Sequence, residues 1–280
     1  MLGGDRLLAA TLRLHVEASP QVHARLYTGR AGAAEVLFVG SSRSREHFPA
    51  GAIARQTGRS SLNLGWGGLS SEQVEAILLD YIDRYGAPEI VVLEVTSPEI
   101  DQLMLRNLRL FEADSPRIDA LVAAYEPVLH AAGRLLALLR YNNKLFFDMV
   151  RYDLDDTDYR SDRVIDPAEL ARLRHDDNDW SYRDADVAVV GQLLRTARAR
   201  GIEVVPVITP ILPAYLDGLS GFADWRDAVA RALPADVHLW DFSGAVGDPA
   251  GFRDDLHLNA RGVAIMLERM RAAGMPGLVT

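Results

Sequence analysis

The chain contains no cysteine, which excludes disulfides, thiolate metal ligands and a cysteine nucleophile. Lysine is almost as scarce. Lys144 is the only one among 30 basic residues, leaving little for Schiff-base or phosphate-loop chemistry. No uncharged run approaches the ~20 residues of a membrane span. Between Met1 and Arg30 the apolar residues are interrupted by Asp5, Arg6, Arg13, His15 and Glu17, with no signal-peptide core. The sequence as written therefore predicts a cytoplasmic protein, or an envelope-associated one if the natural chain starts earlier. Positive charge is in deficit, at a net −9 and a pI near 5.3, so a nucleic-acid surface is not expected. The seven histidines show no paired ligand spacing, so no metal site is predicted, and no cofactor is implied. Asp153, Asp155 and Thr157 imitate the start of a calcium loop, but Asp158 stands where glycine is required and Val164 where a bidentate glutamate is required. That run reads as a solvated acidic loop. Gly65-Trp66-Gly67-Gly68 is no dinucleotide fingerprint, because Ser70 occupies the third glycine position.

What is present is the balance of a globular protein: 280 residues, 49% hydrophobic and 25% charged, enough for one α/β domain with an insertion. Apolar runs at Glu35–Val39, Ser61–Leu64, Ile90–Leu93, Ile202–Ile208 and Val237–Asp241 read as buried strands; Pro206 marks a bulge or an edge-like site in the fourth. Helical periodicity fills Leu7–Tyr27, the segment after the Ser70 or Ser71 cap, Val187–Arg200, Trp225–Ala232 and the stretch from Asn259 to Met270. Alternating strands and helices predict a three-layer α/β/α domain with a doubly wound parallel sheet of flavodoxin-like type. The whole chain, 1–280, is expected to be one domain, with an N-terminal helix within 1–30. Residues 101–186 contain no convincing strand and read as a helical insertion. Its helices, with Leu145, Phe146 and Phe147, are expected to form a substrate wall, and its acidic loop a lid. Tyr152, Tyr159, Trp180 and Tyr182 are possible substrate contacts in that segment.

Two stretches carry chemistry. Val36-Leu37-Phe38-Val39 ends in Gly40-Ser41-Ser42-Arg43, placing a serine at a carboxyl edge of the sheet, where open α/β folds bind ligands. Phe252 to Asn259 contains Asp254-x-x-His257 between the last strand and the last helix. An acid at that spacing can orient Nδ1 of the imidazole and leave Nε2 free as a base. The bland readings are a helix-capping serine and a surface or packing histidine.

Taken together these blocks resemble the SGNH/GDSL hydrolases, a superfamily of esterases, lipases and carbohydrate O-acyl esterases and transferases. Gly40-Ser41-Ser42 is similar to the family's Gly-Asp-Ser block, with Ser42 in the nucleophile place and Ser41 replacing the aspartate. Asn63-Leu64-Gly65-Trp66-Gly67-Gly68 resembles the second block, with Gly68 in the oxyanion position. Asp254 and His257 match the last block. The resemblance covers Glu35–Val95 and Ile202–Met270. It departs at the third block: after Val95 the chain reads Thr96-Ser97-Pro98-Glu99 and lacks the oxyanion asparagine. The Thr96 or Ser97 hydroxyl could substitute. The Gly-Ser-Ser-Arg variant is similar to membrane-associated branches that modify envelope polysaccharides. The resemblance implies Ser42, Asp254 and His257 as catalytic residues, with the Ser42 and Gly68 amides holding the oxyanion. Arg43, Trp66 and Ser97 are candidate substrate contacts; Trp66 reads either as a sugar-stacking platform or as a core or rim tryptophan. The implied activity is that of a serine esterase or O-acyltransferase on an acylated carbohydrate or small ester, without a cofactor. The competing reading is a degenerate domain that binds a glycan or a protein.

Overall fold

Strands and helices alternate as the periodicity predicts. The structure, a computed structural model, describes residues 2–96, 102–151, 160–173 and 178–279. Its strands are β1 (Val36–Val39), β2 (Ser61–Asn63), β3 (Ile90–Glu94), β4 (Asn178–Asp179), β5 (Glu203–Ile208), β6 (Leu219–Ser220) and β7 (Trp240–Asp241). Its helices begin with α1 (Leu2–Ala18), α2 (Val22–Tyr27), α3 (Ser42–His47), α4 (Ala50–Thr57) and α5 (Ser71–Tyr85). Then follow α6 (Gln102–Leu108), α7 (Pro116–Tyr125), α8 (Pro127–Leu135), α9 (Lys144–Arg151) and α10 (Pro167–Leu173). The last are α11 (Asp184–Arg198), α12 (Pro213–Leu216), α13 (Phe222–Ala232) and α14 (Ala260–Ala272). None of the described helices is long and apolar enough to cross a membrane.

Five strands pair in the order β2-β1-β3-β5-β7, all parallel. This is the flavodoxin-like order, and it reverses direction between β1 and β3, where such sheets open a crevice. Successive side chains point to opposite faces. Leu37, Val39, Val91, Leu93, Val204 and Ile208 enter a core with α2, α5, α11 and α13. Val36, Phe38, Ile90, Val92, Val205 and Val207 enter a second core with α4 and α14. The three-layer doubly wound expectation therefore holds.

Local differences from the sequence reading have physical causes. The single N-terminal helix is two, because Ser19 precedes Pro20 and both lie outside helix. Pro206 is no bulge: it pairs in register with Leu93 of β3. Glu203 donates its N–H toward Glu89, so by strict alternation the Pro206 nitrogen faces β7, which pairs only from Val207 onward. The fifth strand is shorter than expected for the same reason. Ser70 caps α5 as a full capping box with Gln73.

The insertion divides in two. Leu105, Leu108, Phe111, Leu145, Phe146 and Met149 extend the first core, and Asp5 of α1 accepts hydrogen bonds from the Ala137 and Leu138 amides at 2.7 and 3.2 Å. Ile165 and Leu173 instead join the second core, where Ile165 N–H bonds Phe252 O at 2.9 Å. The chain returns through β4, a short strand the sequence reading did not expect, which pairs with β6. It thereby carries Asp179 to Tyr182 to the carboxyl edge of the main sheet. The acidic run at 152–159, including Tyr152 and Tyr159, lies outside the described residues.

Candidate active site

The turn after β1 is built for close approach. Gly40 has φ +144°, and a Cβ there would lie 2.9 Å from both Cβ and O of Glu94, so only glycine fits. Ser42 then opens α3. The loop after β2 passes equally close: a Cβ at Gly65 would lie 2.6 Å from the Arg45 amide. Asn63 sews the two together. Its amide nitrogen donates to Ser44 O and Phe48 O at 2.8 Å each, and its Oδ1 accepts from Gly65 N–H at 2.8 Å.

Ser42 Oγ lies 2.8 Å from His257 Nε2, and His257 Nδ1 lies 2.8 Å from Asp254 Oδ1. A carboxylate only accepts, so Nδ1 carries the imidazole proton and Nε2 accepts the Ser42 hydroxyl. Asp254 Oδ1 also accepts the backbone N–H groups of His257 and Leu256 at 2.8 and 3.1 Å. Partial burial works against the charge, but these hydrogen bonds and His257 itself outweigh it and hold the carboxyl well below the usual carboxylate range. The three residues form the relay that the chemistry of an activated serine requires.

No family model matches the chain, and no curated protein matches it in sequence. A solved structure of a GDSL-like lipase from Bacteroides thetaiotaomicron VPI-5482 is similar over 86% of this chain and 88% of its own, at 12% identity and a TM-score of 0.39.

A cleft of about 400 Å³ opens over Ser42, lined on the sheet side by Ser41, Arg43, Gly68 and Thr96, and opposite by Asp179, Trp180, Ser181, Tyr182, Asp186 and Trp225. Among the described residues, the Ser42 and Gly68 amides have no hydrogen-bond acceptor within the protein, as an oxyanion pair needs.

The other expected contacts fare differently. Arg43 is buried and acts as a brace. Its Nε donates to Thr209 Oγ1 at 3.1 Å, Nη1 to Thr96 Oγ1 at 2.9 Å, and Nη2 to the carbonyls of Thr209 and Pro210, with Glu94 Oε1 3.7 Å from Nε. It ties the ends of β1, β3 and β5 together rather than reaching for substrate. The Thr96 hydroxyl lies 2.6 and 2.7 Å from the two oxygens of the fully buried Glu94 carboxylate, so its proton is committed there and it is no stand-in for the missing asparagine. Trp66 does not line the cleft. Arg45 covers its ring at 4.7 Å and His23 meets its edge at 5.5 Å, and it lines a separate cavity with Gly67, Asn107 and Asp148. Ser97 lies outside the described residues. Leu145 and Phe146, expected in the substrate wall, are buried in the core, and Phe147 is exposed without lining the cleft. Helix α9 packs that apolar face against α1 and α6. Trp180 and Tyr182, both anticipated, do face the cleft, whereas Trp225 was missed because its helical spacing signals only packing.

Proposed function

We propose that this chain is a serine hydrolase of the SGNH type, an esterase or O-acyltransferase working through an acyl-serine. The observation that carries the reading is the unbroken relay from Ser42 through His257 to Asp254, with hydrogen-bond distances of 2.8 Å at each link. Ser42 Oγ attacks the ester carbonyl while His257 Nε2 takes its proton. The resulting oxyanion accepts hydrogen bonds from the Ser42 and Gly68 amides, and Asp254 stabilises the imidazolium. The alkoxide leaves with the proton returned by His257, giving acyl-Ser42. Water or a sugar hydroxyl, deprotonated by His257, then attacks the acyl carbon and releases free acid or a new ester. With one oxyanion donor fewer than the family pattern, the rate is expected to be lower by about 10²–10³-fold than with a full set.

The cleft composition supports an O-acylated carbohydrate or a small neutral ester. Trp180, Tyr182 and Trp225 offer apolar faces, Asp179 and Ser181 offer polar atoms, and the acidic wall disfavours anionic substrates. The alternative of a degenerate binding domain rests on the missing asparagine; the assembled relay favours the enzyme. We also propose that residues 1–280 fold as one domain, since both cores share the same sheet. The test is turnover of p-nitrophenyl acetate and of an acetylated sugar by wild type and Ser42→Ala. Wild-type turnover that vanishes in the variant supports the enzyme, whereas no turnover with retained glycan binding supports the alternative.

A further inference from the structure

The helix that presents the nucleophile also grips the loop that presents the base. Ser42 is the first residue of α3 and His47 its last, about 7.5 Å further along the axis at 1.5 Å per residue. His47 Nε2 accepts the backbone N–H of Leu258, the residue after His257, at 3.0 Å. That lone pair is available only if Nδ1 carries the proton, and Nδ1 lies 2.8 Å from Thr209 Oγ1, to which it then donates. Thr209 Oγ1 is in turn 3.4 Å from Glu94 Oε1 and accepts from Arg43. His47 is fully buried, and burial, reinforced by Arg43 and His257, pushes its pKa well below the ordinary value. It therefore stays neutral, the state in which it can accept. One residue earlier, Glu46 Oε2 forms an ion pair with Arg253 Nη1 at 2.8 Å, and Arg253 Nε reaches Asp254 Oδ2 at 3.2 Å. The last two residues of α3 thus hold the catalytic loop on both flanks, at Arg253 and at Leu258.

We infer that Glu46 and His47 are positioning residues that fix the separation of Ser42 and His257 by clamping the base loop to the nucleophile's own helix. The inference rests on the hydrolase reading above. An anchor of this kind acts on the geometry of attack, and a displacement of about 1 Å at a reacting group can lower the rate about 10²-fold. A merely structural histidine would alter stability and leave the turnover of folded protein unchanged.

The experiment compares His47→Leu, which removes both hydrogen bonds, with His47→Gln, whose amide can accept from Leu258 and donate to Thr209. Each is assayed with p-nitrophenyl acetate and with a fluorophosphonate probe, at a temperature where circular dichroism shows the variant fully folded. The expected result for His47→Leu is a kcat lower by about 10²-fold with KM within about twofold, and a parallel drop in Ser42 labelling rate. His47→Gln recovers most of both. Glu46→Gln, which breaks the ion pair with Arg253, lowers kcat by about 10-fold in the same sense. Folded His47→Leu with wild-type kcat overturns the clamp. Should His47→Leu fail to fold, Glu46→Gln decides: unchanged kcat overturns the clamp, and a reduced kcat with unchanged KM supports it. A wild-type protein that neither turns over ester nor takes the probe overturns the hydrolase reading itself, and so is distinguishable from failure of the clamp alone.

Discussion

On the sheet side of the cleft, polar groups are held from several directions at once. Asp254 is gripped by His257, two backbone amides and Arg253; Thr209 by Arg43, His47 and Glu94; Asn63 by Ser44, Phe48 and Gly65. The opposite wall is made differently. Asp179 to Tyr182 depend on a two-residue strand pair and on the Trp180 N–H bond to Ser220 O at 2.8 Å, with Trp180 wedged among Phe222 and Trp225. One side is preorganised by hydrogen bonds, as charge stabilisation in a transition state demands. The other is held mainly by ring packing, which tolerates changes of shape. Reactivity and selectivity should therefore be separable by mutation here.

The largest effect belongs to the sheet side. Ser42→Ala should lower ester turnover by about 10⁴-fold or more on every substrate, because nucleophile and base act as a unit. Asp254→Asn should follow at about 10³-fold, since the imidazole loses the acceptor that fixes its tautomer; steady-state kinetics on one aryl ester measures both. Equal losses across aryl and sugar esters are expected if the two walls act separately, and unequal losses would show that they do not.

A stability effect comes next. His23 lies beneath the Asn63–Gly68 loop, with Nε2 3.1 Å from Leu64 O and Nδ1 2.9 Å from Gln21 Nε2. Burial lowers its pKa to about 4. The unfolded chain binds this proton below about pH 6.5 and the folded chain does not until about pH 4, so stability falls as pH drops through that window. The full shift corresponds to about 3 kcal/mol. Urea titrations of wild type and His23→Gln between pH 7 and 4 should show a shallower decline in the variant.

The other wall should respond in selectivity. Trp180→Ala is expected to change the ratio of sugar-ester to aryl-ester kcat/KM by about 10-fold, while fluorophosphonate labelling of Ser42 stays within about twofold. The smallest effect is reserved for Trp66→Ala, under about twofold in kcat/KM for either ester, because Arg45 and His23 already cover that ring.

The legible part of the fold and site was the local part. Gly40-Ser41-Ser42 and Asp254-x-x-His257 announce their geometry within a few residues, and the Ser70–Gln73 cap does the same for α5. What stayed hidden depended on distant partners. His47 looks like an unremarkable helix residue until the Leu258 amide, 211 positions away, is placed against it. Arg43 beside Ser42 suggests a substrate contact, and only the converging ends of β3 and β5 show it to be a brace. The leucine and phenylalanine run at Leu145–Phe147 suggests a wall because its amphipathic pattern says that one face is buried without saying against what. The partners are α1 and α6. The wall itself comes from a crossing between faces, which no periodicity encodes.

Whether Ser42 is an activated nucleophile is read directly by fluorophosphonate labelling followed by tryptic mapping. Cleavage after Arg30 and Arg43 isolates residues 31–43, which hold Ser41 and Ser42 and exclude Ser44. One adduct is expected in that peptide, assigned by fragmentation to Ser42, absent in Ser42→Ala and strongly slowed in His257→Ala. An adduct on Ser41 or Ser44, or ester turnover that persists without any adduct on Ser42, would contradict Ser42 as the nucleophile.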